Sequence, residues 1–259
     1  MKTFLAAGVL VAGAIGAPSA SAAEETCFGL VPTIVGTLGD DILVGTDGPD
    51  VIDGLEGDDS IKGLGGGDVL CGGPGQDAIN AGGGLDRVDG GSEDDSLFDR
   101  QGSALLDGGT GDDLVITSLR VGASGARAVD GGEGVDTLVI EHVWEGRSTL
   151  GRPLGLVNLR TSLVRVETRG PQTTSMPATG MENVEVSDGR WTLVGDAQEN
   201  ELVGGRTANS HVVIHAGGGD DHLTGTRHDD LLDGGRGLDR AQRTPGDDTY
   251  VSVERVRSA

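Results

Sequence analysis

Aspartate returns at a fixed interval along this chain, at positions 41, 50, 59, 68, 77, 86, 95 and 113, each the sixth residue of a nine-residue unit. The units follow one another without a gap from Gly36 to Ile116: GTLGDDILV, GTDGPDVID, GLEGDDSIK, GLGGGDVLC, GGPGQDAIN, AGGGLDRVD, GGSEDDSLF, DRQGSALLD and GGTGDDLVI, with Ala104 the one sixth place that is not aspartate. GGEGVDTLV adds Asp136, and a later block (AGGGDDHLT, GTRHDDLLD, GGRGLDRAQ, RTPGDDTYV) adds Asp221, Asp230, Asp239 and Asp248. Carboxylates beside glycine turns, whose carbonyls are exposed, are hard oxygen donors. They suit calcium, which accepts six to eight oxygens in flexible geometry, better than thiophilic metals or strictly octahedral magnesium.

Each unit must position its aspartate in the same way. Glycines in the first half make a tight turn, and the eighth place is always aliphatic (Leu43, Ile52, Ile61, Leu70, Ile79, Val88, Leu97, Leu106, Val115), so a brief strand with one core-facing residue follows the turn. Two units make a coil, and stacked coils bury the eighth places in a continuous core. Turns from alternate units then share an edge, which brings the pairs 41/59, 59/77, 77/95 and 95/113 together on one side and 50/68 and 68/86 on the other, with 221/239 and 230/248 in the later block. At the strand spacing of about 4.8 Å two carboxylates repel by roughly 3 to 4 kcal/mol at an effective dielectric near 20, and a divalent cation between turns reverses the sign. Ala104 should interrupt the row, and Glu93, at a turn-glycine place, should disfavour positive φ and weaken the neighbouring sites.

GGPGQDAIN, GGEGVDTLV and GTLGDDILV resemble the RTX, or hemolysin-type, calcium-binding repeats, and the units cover about half of the chain beyond its first 22 residues. The resemblance implies an all-β fold, a right-handed parallel β-roll holding several calcium ions in its turns, with the thirteen aspartates above as the metal-binding residues. On this reading residues 23–35 form an N-terminal cap and 36–116 a roll of nine units. Residues 117–191 are an irregular β-rich spacer carrying one repeat at 131–139, and 192–259 are a second, degenerate block. Alternation at 156–159, 163–166 and 184–186 reads as strands, whereas 168–179, with Pro171 and Pro177 among Thr, Ser and Gln, reads as an exposed loop. A cleavable leader and the basic end VERVRSA depart from the toxins of that family.

Forty-two acidic against nineteen basic residues give a formal charge of -23, which argues against nucleic acid as a partner. Residues 1–22 carry Lys2, an apolar run from Phe4 to Ile15 and an Ala-Pro-Ser-Ala-Ser-Ala end, the pattern of a secretory signal peptide, and no later stretch is long and apolar enough to cross a bilayer. A secreted protein is the expectation. Cys27 and Cys71, an even pair in such a chain, are either one disulfide closing the cap onto the solenoid or two separate thiols. No catalytic centre is legible. His211 and His215 have i, i+4 spacing but lie in a β-branched run without the glutamate of a helical zinc motif. The alternative is a β-solenoid enzyme acting on polysaccharide, with Asp, Arg147, Arg152 and Arg165 as the available residue types. Trp144 and Trp191 bracket the aperiodic region, either as a surface for extracellular polysaccharide or a cell-surface protein or as core plugs.

Overall fold

The computed structural model describes residues 26–101, 104–120, 127–144, 154–167, 173–187, 189–205 and 210–258. The expected signal segment 1–22, Arg147 and Arg152 lie outside them. The described chain is all-β, a solenoid of about 11 turns whose only helical piece is the single 3-10 turn Leu159–Thr161. Its short strands pair with the strand one turn away, eighteen residues on: Ile42–Val44 with Ser60–Lys62, and Val51–Asp53 with Val69–Pro74, both parallel. Odd and even units build opposite faces, a sheet of 11 strands and a sheet of 13, and both run through the region where the period fails.

The core is a double file of eighth-place side chains. Ile52, Ile61, Leu70, Ile79 and Leu97 are fully buried, and Leu138, Leu193, Ile214, Leu223 and Leu232 continue the files through the aperiodic segment and beyond. Each such burial contributes about 1.5 to 3 kcal/mol, so six aromatics in the whole sequence suffice because the core is two side chains wide.

Within the spacer, between strands that continue both parallel sheets, a hairpin is inserted. Leu154–Asn158 and Leu163–Glu167 pair antiparallel, and Leu163–Glu167 pairs antiparallel with Thr173–Thr179. Leu154–Asn158 then pairs parallel with Arg190–Val194, so the sheet resumes its rule. The exposed loop expected over 168–179 is corrected here: Thr173–Thr179 is a strand with Thr174, Met176 and Ala178 turned inward. Threonine, methionine and alanine carried an alternation that the two prolines concealed.

Cys27 and Cys71 form a disulfide with S–S 2.08 Å. Phe28, beside Cys27, lies under the Arg87 guanidinium at 3.6 Å, so the N-terminal segment is fastened across the outer face of the larger sheet. A cross-link between residues 44 apart removes about 4 kcal/mol of loop entropy from the unfolded chain. Cys27→Ser/Cys71→Ser is accordingly expected to lower the unfolding free energy in calcium by about 2 to 4 kcal/mol. A denaturant midpoint unchanged from the native protein would contradict this.

Candidate metal sites in the turns

Each sixth-place aspartate ends a turn and points back into it. From the second turn of each edge, Oδ1 accepts the sixth-place backbone N–H one turn earlier, which belongs to Asn200 for Asp221 and to Val212 for Asp230 and otherwise to an aspartate: Asp41 N to Asp59 Oδ1 at 2.8 Å, Asp59 N to Asp77 at 2.7 Å, Asp77 N to Asp95 at 2.8 Å and Asp95 N to Asp113 at 2.8 Å. The opposite edge repeats it, Asp50 N to Asp68 Oδ1 and Asp68 N to Asp86 Oδ1, both at 3.0 Å. The later block places 221/239 at 2.9 Å and 230/248 at 3.2 Å in the same relation. These are the pairs the nine-residue spacing brings to one edge.

The second carboxylate oxygen is the informative one. Oδ2 of Asp59, Asp68, Asp77, Asp86, Asp95, Asp113, Asp136, Asp221 and Asp239 is buried with no hydrogen-bond partner, and none of these nine residues is more than 3 % exposed. In seven of the nine, Asp59, Asp68, Asp77, Asp95, Asp113, Asp136 and Asp239, Oδ2 leans over the glycine that opens its own unit, and the units of Asp86 and Asp221 open with Ala81 and Ala216. A Cβ built on Gly72 would lie 2.1 Å from Asp77 Oδ2 and 2.5 Å from the carbonyl oxygen of Gly90 one turn on, which marks the spot where a carboxylate and a carbonyl oxygen converge. A buried, unpaired carboxylate oxygen costs several kcal/mol unless a cation or a proton satisfies it.

The fold's electrostatics say the same. Burial, followed by the repulsion of neighbouring aspartates, raises the carboxyl pKa of Asp77 to about 7, of Asp95 to about 8, and of Asp86, Asp113 and Asp221 to about 6, against the partial relief of the backbone N–H bond. Asp59, Asp68, Asp136 and Asp239 are raised by burial in the same way. Among the described residues no three His, Cys, Asp or Glu side chains gather as a closed cage. The carboxylates are strung one per turn, and carbonyl oxygens must supply the remaining contacts. That donor set, all oxygen and adjustable, fits calcium.

Where the period breaks, other residues hold the ladder. Ala104 has no carboxylate, and its N–H is taken instead by Asp99 Oδ2 at 2.8 Å. Glu93 does adopt positive φ, 80°, contrary to expectation, and the Oδ2 atoms of Asp95 and Asp113 keep the same setting. Asp136 joins the row after an interval of 23, accepting from Asp113 N at 2.8 Å. Two glutamates that nine-residue counting passed over then substitute for aspartate: Glu182 accepts from Asp136 N at 2.9 Å and Glu254 from Asp239 N at 2.8 Å. Asn200 is a neutral rung whose Nδ2 donates to the Glu182 carbonyl at 2.9 Å, and the Arg160 Nε donates to the carbonyl of Gly195 at 2.9 Å. The signal for Glu182 was present in Met181-Glu-Asn-Val-Glu-Val186, which has an acid two places before a buried aliphatic, as in most of the units that carry Asp at the sixth place.

The fifth place has a role as well. Asp40, Asp58, Asp94, Asp112, Asp220 and Asp229 accept the fifth-place N–H of the following turn on the exposed rim, for example Asp58 N to Asp40 Oδ1 at 3.0 Å. The GDD doublets thus pair a rim acid bonding forward with a buried acid bonding backward.

In the aperiodic stretch of the larger sheet the sixth-place column reads Gly155, Trp191, Val212, Asp230. Trp191 is 3 % exposed and packs over Gly155, where a Cβ would lie 2.1 Å from its ring, so this tryptophan is a core plug. A groove of about 580 Å³ opens beside it, lined by Arg190, His211, Val212, Asp229 and Asp247 among others.

The RTX calcium-binding nonapeptide repeat, a family of four-copy units, matches residues 35–70, 63–97 and 213–241. No curated protein matches the chain.

Proposed function

We infer that this chain, which carries RTX calcium-binding nonapeptide repeats, is an extracellular structural or adhesive module whose β-roll is completed by calcium. The observation that carries the reading is the file of nine buried Oδ2 atoms without a partner. A fold that buries nine anionic oxygens in register needs a counter-ion, and millimolar extracellular calcium supplies one. The signal-like residues 1–22 and the Cys27–Cys71 disulfide, a bond that persists in oxidising compartments, support export. A solenoid of about 11 stacked turns whose turns take up extracellular calcium suits a structural or adhesive role.

The test is calorimetry and circular dichroism of residues 23–259 from chelator to several millimolar calcium, with magnesium as control. Cooperative, calcium-specific gain of β structure is expected. Heat or signal changes no larger with calcium than with magnesium would refute the reading.

The groove beside Trp191 favours one alternative, action on an extracellular polysaccharide, because Arg190, His211, Asp229 and Asp247 all line it. That reading requires glycan binding that shifts tryptophan fluorescence, and new chain ends that Asp229→Asn abolishes. Failure of both across a broad glycan panel removes it.

A further inference from the structure

The thirteen aspartates are not equivalent. Four of them, Asp41, Asp50, Asp230 and Asp248, have an Oδ2 that is already satisfied, and in each case the donor is the threonine at the second place of the unit. Thr46 gives Asp50 Oδ2 both its N–H, at 2.6 Å, and its hydroxyl, at 2.9 Å. Thr37 does the same for Asp41, with its hydroxyl at 2.8 Å, and Thr226 for Asp230, with its hydroxyl at 2.9 Å. Asp248 Oδ2 accepts from the Thr244 hydroxyl at 3.0 Å and from the Tyr250 hydroxyl at 3.0 Å.

The nine turns with an unpaired Oδ2 differ at the same place. Where the unit is intact their second residue has positive φ, from 73° at Leu64 to 119° at Gly91, whereas none of the four threonines does. Turning φ over rotates the peptide, so a second-place N–H cannot serve the carboxylate and the oxygen is left for another partner. At Gly225, in a threonine unit, the convergence point seen elsewhere is occupied by the Thr244 hydroxyl, 3.0 Å from a built Cβ, where Gly72 meets a backbone carbonyl. Asn200 follows the threonine pattern, its Oδ1 accepting the N–H of second-place Asp196 at 2.9 Å.

We propose that the second residue of each unit decides whether its aspartate takes calcium: glycine or left-handed leucine leaves a metal turn, and threonine closes a latched turn that needs no ion. The sorting rests on the calcium reading above and refines it. It withdraws Asp41, Asp50, Asp230 and Asp248 from the metal-binding set and leaves the nine with buried unpaired Oδ2. The latched turns fall at units 36–44 and 45–53, which open the first block, and at units 225–233 and 243–251 of the second. The first pair gives the metal ladder a start that is folded without an ion, on which the next turn can stack.

The experiment is calcium stoichiometry by equilibrium dialysis on residues 23–259. Asp50→Asn should bind as many ions as the native protein, Asp95→Asn should bind at least one fewer, and Thr46→Gly should bind one more, since Gly63 O and Asp50 Oδ2 already converge over Gly45. Should Asp95→Asn fail to fold, Asp50→Asn and Thr46→Gly against the native protein decide alone. Loss of an ion in Asp50→Asn, or no gain in Thr46→Gly, overturns the sorting while calcium binding stands. A native protein that binds no calcium overturns both.

Discussion

In chelator the β signal and the thermal midpoint of this protein are expected to fall as pH rises from about 4 to about 8, and added calcium should restore both, most strongly at the alkaline end. An unfolded aspartate loses its proton near pH 3.9. In the metal-free fold burial holds protons on Asp86, Asp113 and Asp221 to about pH 6, on Asp77 to about 7 and on Asp95 to about 8. Between those limits the native state binds more protons than the unfolded state, so unfolding free energy decreases with pH across that window. This is the reverse of the usual carboxylate, whose salt bridge is lost in acid. Below about pH 4 both states are protonated and the contribution is fully present.

Calcium competes with those protons for the same oxygens. With dissociation constants of about 0.1 mM, 1 mM calcium adds about 1.4 kcal/mol per site, and a file of such sites amounts to the whole stability of an ordinary domain, about 5 to 15 kcal/mol. Each carboxylate is bonded to the next turn's site through an aspartate N–H, so the sites should load together and the transition should be steep. The measurement is a melting series at pH 5, 6, 7 and 8 with chelator and with 5 mM calcium. A metal-free midpoint that rises with pH would show that the aspartates are ionised and solvated in the fold, and would remove the electrostatic basis of the calcium reading.

Most of the fold was legible because two periodicities coincide in one nine-residue unit, aspartate at the sixth place and an aliphatic residue at the eighth. Their register predicts which residues stack, and Leu97 over Ile79 and Asp95 beside Asp77 follow directly. The two hairpin strands were legible as alternation at 156–159 and 163–166, but their antiparallel pairing was not, and Thr173–Thr179 was hidden because it keeps the two-residue alternation without the glycine turn that marks phase. Glu182 and Glu254 were missed for a related reason: one methylene more than aspartate lets glutamate reach the same N–H from a turn of different length. The division between threonine and glycine units was printed in the sequence but had no meaning until backbone φ tied the second residue to Oδ2. Spacing locates a carboxylate. It does not say which of its oxygens is spoken for.

Gly73→Ala, a change of one methyl in a half-buried turn, is expected to destabilise the calcium-loaded protein by about 3 kcal/mol or more, as much as a core truncation. Positive φ, 111° at Gly73, costs a non-glycine residue about 1 to 2 kcal/mol. Yet Leu55 holds the same place one turn earlier at φ 79°, so conformation alone does not forbid a side chain there. The added cost comes from below. A Cβ on Gly73 would stand 1.9 Å from the carbonyl oxygen of Leu55 and 2.9 Å from its carbonyl carbon, atoms of the backbone that no rotamer can move aside. The strands on either side fix the turn spacing at about 4.8 Å. Relief therefore means parting the turns, which breaks the Gly57 N to Pro74 O bond of 2.9 Å and draws Asp77 away from Asp59. The same carbonyl contact recurs over Gly91, Gly109 and Gly132, at 2.0 to 2.1 Å, and so an intact turn stacked on a left-handed one of the same edge must be glycine at this place. Leu55→Gly, which removes left-handed strain and adds only the entropy of a glycine, should stay within about 1 kcal/mol of the native protein. Denaturant melts of both variants and of Gly48→Ala, whose nearest neighbour to a built Cβ is 3.8 Å away, complete the comparison. A Gly73→Ala as mild as Gly48→Ala would mean that the turns can separate freely, and that the ladder of carboxylates does not hold them in register.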